Sequence, residues 1–258
     1  MYFLRNYSLW LATASILFIT IALGLEHEAS GRSEPEVRPL RSGIGETFTQ
    51  LKLPCDWVVV IDPGHGGHEY VGRSSPNNAK GEELLEKDLT LEVGLATKRF
   101  LDRSDYRVFM TRTTDINLSL RDRTKFARDK QADVFVSIHF NGFDNETTQG
   151  TETIYHSDAS QRSIELAKKI QTNVLGATGL RNRGVRTTEN IDLDIVVLRP
   201  GQHKQKTAAA LVEISFLTDP DEEERLKRTG YKRTLSRAIQ YAIGEHLSQE
   251  QVALDCVP

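Results

Sequence analysis

Apolar positions along the chain change period repeatedly, and the changes mark out alternating strands and helices. Residues 58–61 are β-branched and apolar and run into Asp62-Pro63-Gly64, which predicts a strand over 57–62 buried on both faces. From 86 to 101 the apolar residues fall on one helical face, with Leu89, Val93, Ala96 and Phe100 as its spine. A short strand is predicted over 106–111. A helix follows over roughly 119–130, with Leu120, Phe126 and Ala127 inward and Arg121, Asp122, Arg123, Lys125 and Arg128 toward solvent. Strands are then predicted over 133–138 and 150–156, and a helix from Ser160 or Ser163 to about Leu175, ended by Gly176 and Gly179. Short strands are expected over 184–186 and 193–198, and a longer one over 208–213. Pro220 and the acidic residues after it suit the first turn of a short helix, and 231–247 forms the last helix. Strands alternating with helices predict an α/β fold: one catalytic domain with a mostly parallel central sheet and helices on both faces.

Composition modifies this picture mainly at the N-terminus. Residues 9–25 carry no charge, and Arg5 is the only charge before them. A short basic region and an apolar segment predict export, as a signal peptide cut near Ala22-Leu23-Gly24 or as a retained membrane anchor over 1–25. Residues 26–54 are polar and read as a linker, leaving 55–258 for the domain. The 258 residues are 38% hydrophobic and 27% charged with a net charge of −3. The absence of a basic block argues against a nucleic-acid partner. Cys55 and Cys256 flank the domain, and in an exported chain a disulfide between them is favoured over two free thiols.

The candidate chemistry sits at strand ends. His65 follows the first strand within Asp62-Pro63-Gly64-His65-Gly66-Gly67, His139 ends a second strand, and Glu213 ends a third. Parallel strands would deliver all three to one rim, where open α/β sheets bind ligands. A single histidine after a strand is more often a surface or capping residue, but two at equivalent ends argue together for a metal. Two histidines, one carboxylate and a water form a common catalytic zinc shell. Glu86, where the loop 63–85 meets a helix, is the favoured third ligand, and Glu82 and Glu83 compete with it on spacing alone. Glu213 fits a general base. Asp62 is read as a loop holder through an Asx turn, and His68, His156 and His203 as solvated, with His68 the one able to reach substrate.

Four of these stretches, in this order, carry a resemblance. Asp62-Pro63-Gly64-His65-Gly66-Gly67, Glu86-Lys87-Asp88-Leu89, Ser137-Ile138-His139-Phe140-Asn141 and Val212-Glu213-Ile214-Ser215-Phe216-Leu217 resemble the motif series of the zinc-dependent type 3 N-acetylmuramoyl-L-alanine amidases. Met110-Thr111-Arg112, residues 118–123 and Arg183-Gly184-Val185 resemble further shared elements, and the likeness covers roughly 57–249. The resemblance implies one Zn2+ held by His65, Glu86 and His139, with Glu213 catalytic. It implies hydrolysis of the amide between N-acetylmuramic acid and L-alanine in peptidoglycan by a zinc-activated water, and hence an extracytoplasmic site of action in the periplasm or cell envelope. The alternatives are a zinc peptidase cutting elsewhere on the peptide stem and a non-catalytic wall-binding protein of the same fold. Departures from the pattern are Phe140-Asn141-Gly142, where an alanine-containing version is common, and Ser215 in place of a frequent glycine. Some relatives block the zinc with a helix inserted after the second histidine. Only residues 140–149 separate His139 from the next strand here, too few for such a helix, so an open site needing no activator is expected.

Overall fold

The computed structural model describes residues 56–68, 71–72, 78–104 and 106–255. They belong to the compact unit Lys52–Pro258. The expected signal or anchor, the linker, Cys55 and Cys256 lie outside the described residues. No helix among the described residues is long and apolar enough to cross a membrane.

The elements follow in the order β1 (Val58–Pro63), β2 (Val71–Gly72), β3 (Asn78–Ala79), α1 (Glu86–Leu101), β4 (Arg107–Met110), α2 (Leu120–Asp129), β5 (Val134–Asn141), β6 (Thr151–Tyr155), α3 (Gln161–Thr178), β7 (Asn182–Thr187), β8 (Ala208–Phe216), α4 (Pro220–Leu226) and α5 (Thr229–Asp255). β2 and β3 pair only with each other, inside the long loop after β1. The other six strands form one sheet in the order β4-β1-β5-β8-β6-β7. Every neighbouring pair is parallel except β6 with β8. The sheet is therefore mostly parallel, as expected, with its last two strands reversed as a pair.

Both faces are covered, which explains why β1 and β8 are apolar without alternation. On one face Val59, Ile61, Val136, Ile138, Ala210 and Val212 pack with α1, α3 and α5. On the other, Val60, Phe135, Ile154 and Leu211 pack under Ala127 of α2 and the turn carrying Val197 and Leu198. That turn corrects the sequence reading of 193–198 as a strand: Val196–Leu198 is a single 3-10 turn capping this second core. The apolar run is real, but it roofs the sheet instead of extending it.

Helix α2 keeps Phe126 and Ala127 inward and Arg121, Asp122, Lys125 and Arg128 outward, as expected, but reverses two positions. Leu120 is 51% exposed and Arg123 is 2% exposed, against the hydropathy reading. His203 is buried against the Phe135 ring, with Nε2 2.7 Å from the Val197 carbonyl, so it is a core residue and not solvated. Burial pushes its pKa down, against the pull of that carbonyl and of Asp62.

Candidate metal centre

The loop leaving β1 is fixed from below by two buried arginines. Asp62 is almost fully buried; its Oδ1 accepts from Thr111 at 2.5 Å and Arg123 at 2.9 Å, and its Oδ2 accepts from Ser137 at 2.8 Å. Burial pushes its pKa up, but the Arg123 charge and these bonds together hold it below the ordinary carboxylate value. Asp62 is thus the centre of a buried ion cluster and not merely an Asx-turn residue. Arg123 also donates to the carbonyls of Pro63 and His65, and Arg112 to those of Pro63, Gly64 and Lys87. The two guanidiniums therefore hold the backbone of 63–65 and tie it to the start of α1.

That clamp sets His65 in a left-handed conformation, φ 57°, which L residues other than glycine seldom adopt. Gly64 lets the His139 ring approach its backbone: a Cβ there would lie 2.3 Å from that ring. Glu86 opens α1, and its position is set by α4. The Glu223 carboxylate accepts from the backbone N–H groups of Glu82, Glu83 and Leu84, which fixes the approach to the helix.

These elements bring His65, Glu86 and His139 together, with one ligand atom from each lying within 4.8 Å of the others. Glu86 Oε1 is 2.9 Å from His139 Nδ1 and accepts from the Phe140 N–H at 3.0 Å; Oε2 is 3.2 Å from His65 Nε2 and accepts from the Ala79 N–H at 2.7 Å. Burial pushes this carboxyl up, but the His65 and His139 charges and bonds hold it at about 2. Glu82 and Glu83 are exposed and outside the cluster, and geometry separates them from Glu86 where spacing did not. Two imidazoles and a carboxylate are the donor types that a borderline-soft, N/O-binding cation such as zinc takes.

Glu213 is the register partner of His139 across β5 and β8. It is buried, and its Oε2 has no hydrogen-bond partner among the described residues. Burial, then the charges of Glu86 and Glu152, push its pKa well above the ordinary carboxylate range. Glu152 follows it in register on β6. Its carboxylate accepts from Asn141, Arg183 and Arg186. The sequence reading missed Glu152 because its strand carries no motif at that position and its burial arises only from β6 pairing with β8. His68 is exposed, and His156 accepts from the Asp158 N–H away from the cluster.

His65, Glu86, His139 and Glu213 share one cleft of about 940 Å³, also lined by Leu120, Phe143, Glu152, Arg183 and the segment 190–197. Residues 142–150 between β5 and β6 contain turns and no helix.

Comparison with known proteins bears on this arrangement directly. The family model described as N-acetylmuramoyl-L-alanine amidase matches residues 59–245, from β1 into α5. The chain belongs to this amidase family. LytC, an N-acetylmuramoyl-L-alanine amidase of Bacillus subtilis, is 32% identical over 192 residues, 74% of this chain but 36% of LytC, so the likeness spans about a third of that relative. Among solved structures, an N-acetylmuramoyl-L-alanine amidase from Clostridium difficile 630 superposes with a TM-score of 0.64 at 31% identity, covering 74% of this chain and 97% of that one. The CwlD amidase from Clostridioides difficile, solved in complex with the GerS lipoprotein, superposes with the same score at 26% identity, covering 74% and 98%. The amidase core therefore accounts for nearly all of the described residues.

Proposed function

We propose that this chain is a zinc-dependent N-acetylmuramoyl-L-alanine amidase that hydrolyses the amide between N-acetylmuramic acid and L-alanine in peptidoglycan. The observation that carries the reading is the convergence of His65, Glu86 and His139, with Glu213 beside His139 in register, in a chain of the amidase family. His65, Glu86 and His139 would hold one zinc ion. When bound, zinc lowers the pKa of a coordinated water toward neutrality and polarises a carbonyl.

The remaining work falls to the protein. Glu86 enters as a carboxylate, fixed by two backbone N–H groups so that its oxygens face the two imidazoles. Glu213 Oε2, with nothing to bond among the described residues, is the base that takes the proton of the attacking water. A carboxyl with a raised pKa keeps that proton long enough to hand it to the L-alanine nitrogen as the amide breaks. The Asp62–Arg123–Arg112 clamp holds the loop so that the ligands need no rearrangement.

The helix-free segment 142–150 supports a cleft that works without an activator. The uncharged segment 9–25 supports export to the cell envelope, by a cleaved signal or a retained anchor. Digestion of defined muropeptides by the full chain, with metal analysis, tests the reading. It predicts one zinc per chain, release of peptides with a free L-alanine amino terminus and loss of turnover on chelation. Cleavage elsewhere on the stem, or full activity in excess chelator, would overturn it; inertness until a partner is added would overturn its activator-free part.

A further inference from the structure

Arg183 stands out in the cleft because it is fixed on three sides and its fork remains open. Its Nε donates to Glu152 Oε2 at 3.1 Å, and its guanidinium lies 4.9 Å from the centre of the Phe216 ring. Its stem runs against Gly150, where an added Cβ would meet Arg183 Cγ at 2.7 Å. Among the described residues, no group accepts from its two terminal nitrogens, while Arg186 is engaged by Glu152 and the Asn190 carbonyl. Two guanidiniums against the single Glu152 carboxylate leave that cluster of three with one positive charge. A held guanidinium with both terminal N–H2 groups open matches a carboxylate bidentately.

We propose that Arg183 is a specificity-determining residue that binds a carboxylate on the peptide stem, one residue beyond the L-alanine. This rests on the amidase reading, because it takes Glu213 as the point of cleavage. The register His139–Glu213–Glu152–Gly184 runs across β5, β8, β6 and β7 at one level of the sheet. Arg183 stems from β7, two strands from Glu213 or roughly 9.6 Å, and its side chain reaches back to Glu152 on β6, the strand next to Glu213. Two extended residues span roughly 7 Å, which brings a carboxylate one residue past the scissile amide to this wall. The glycan is uncharged there, so the free α-carboxylate of a γ-linked second stem residue is the matching group.

Paired muropeptides test this, identical except that the second-residue α-carboxylate is free in one and amidated in the other. The full chain is expected to prefer the free acid by about ten-fold or more in kcat/KM. Arg183→Gln is expected to bring the two substrates within about two-fold of each other, through a higher KM for the acid, with its zinc content unchanged. Equal use of both substrates by the unaltered chain, or an undiminished preference in Arg183→Gln, would overturn the assignment. Calorimetric binding of both muropeptides to the Glu213→Gln protein keeps the two readings separable. Acid-selective binding that Arg183→Gln abolishes supports the carboxylate subsite even if no substrate is cleaved, and unselective binding removes it even if cleavage occurs.

Discussion

Two buried carboxylates on the same sheet, Asp62 and Glu213, are treated in opposite ways. Asp62 is paired with Arg123 and hydrogen-bonded by Thr111 and Ser137, and its pKa is depressed. Glu213 faces two other acids, keeps one oxygen without a hydrogen-bond partner among the described residues, and its pKa is raised. The first arrangement stabilises a fixed charge and a fixed loop. The second leaves a group whose proton is easily gained and lost, the property a general base requires. Within one rim, the satisfied carboxylate is scaffold and the unsatisfied one is the proposed base.

The contrast is broken most sharply at its ends. Glu213→Gln is expected to lower kcat by about 10²–10⁴-fold while leaving the thermal midpoint unchanged or higher, since it removes an unfavourably buried charge. A fall in stability equal to the fall in activity would show that Glu213 is structural. Arg123→Met should do the reverse, costing about 3–5 kcal/mol in denaturant unfolding because it strands the Asp62 charge in the core. Adding Asp62→Asn to it should restore much of that loss; no recovery would mean the arginine acts only through its bonds to the loop carbonyls.

Proton linkage sharpens the same comparison. A depressed carboxyl contributes stability above its unfolded pKa and loses it as pH falls through the folded value. A raised one contributes below its unfolded pKa and loses it as pH rises through the folded value. In chelator, the stability difference between the unaltered chain and Arg123→Met should therefore shrink toward low pH. Against Glu213→Gln, the unaltered chain should lose ground as pH rises above about 4.3. Denaturant titrations from pH 3 to 8 would read both slopes, and slopes of the same sign would remove the distinction.

Smaller effects follow at the supports. Gly64→Ala should cost about 1–3 kcal/mol through contact with the His139 ring, and weaken zinc binding with it. Ser119 caps α2 by accepting from the Asp122 N–H, and Ser119→Ala should lose about 1 kcal/mol with activity retained, since Arg123 is also held by its own buried bonds.

Much of the fold was legible because it rests on local signals. The bounds of α1 matched its apolar spine, and the Asp-Pro-Gly-His stretch placed the end of β1 to within a residue. His65, Glu86, His139 and Glu213 were legible as candidates, although β5 runs on to Asn141 and β8 to Phe216, so His139 and Glu213 lie within their strands and do not end them as expected. What misled was burial without hydrophobicity. Arg123 looked like a solvent-facing helical charge, but Asp62, far away in sequence, draws it into the core. His203 looked polar and packs on Phe135. The 193–198 run had strand composition, yet it pairs with neither edge strand and closes over the second core.

The amino-acid order by itself determined which residues could do chemistry, because periodicity and turn residues decide where strands and helices stop. Only the tertiary structure decided which charges are satisfied. Hydrogen-bond partners for a buried group come from other elements: Thr111 after β4 and Ser137 on β5 for Asp62, Arg183 on β7 for Glu152 and, among the described residues, none for Glu213 Oε2. That pairing depends on register across the sheet, including the reversed β6, and register is a property of the assembled strands and not of any one of them.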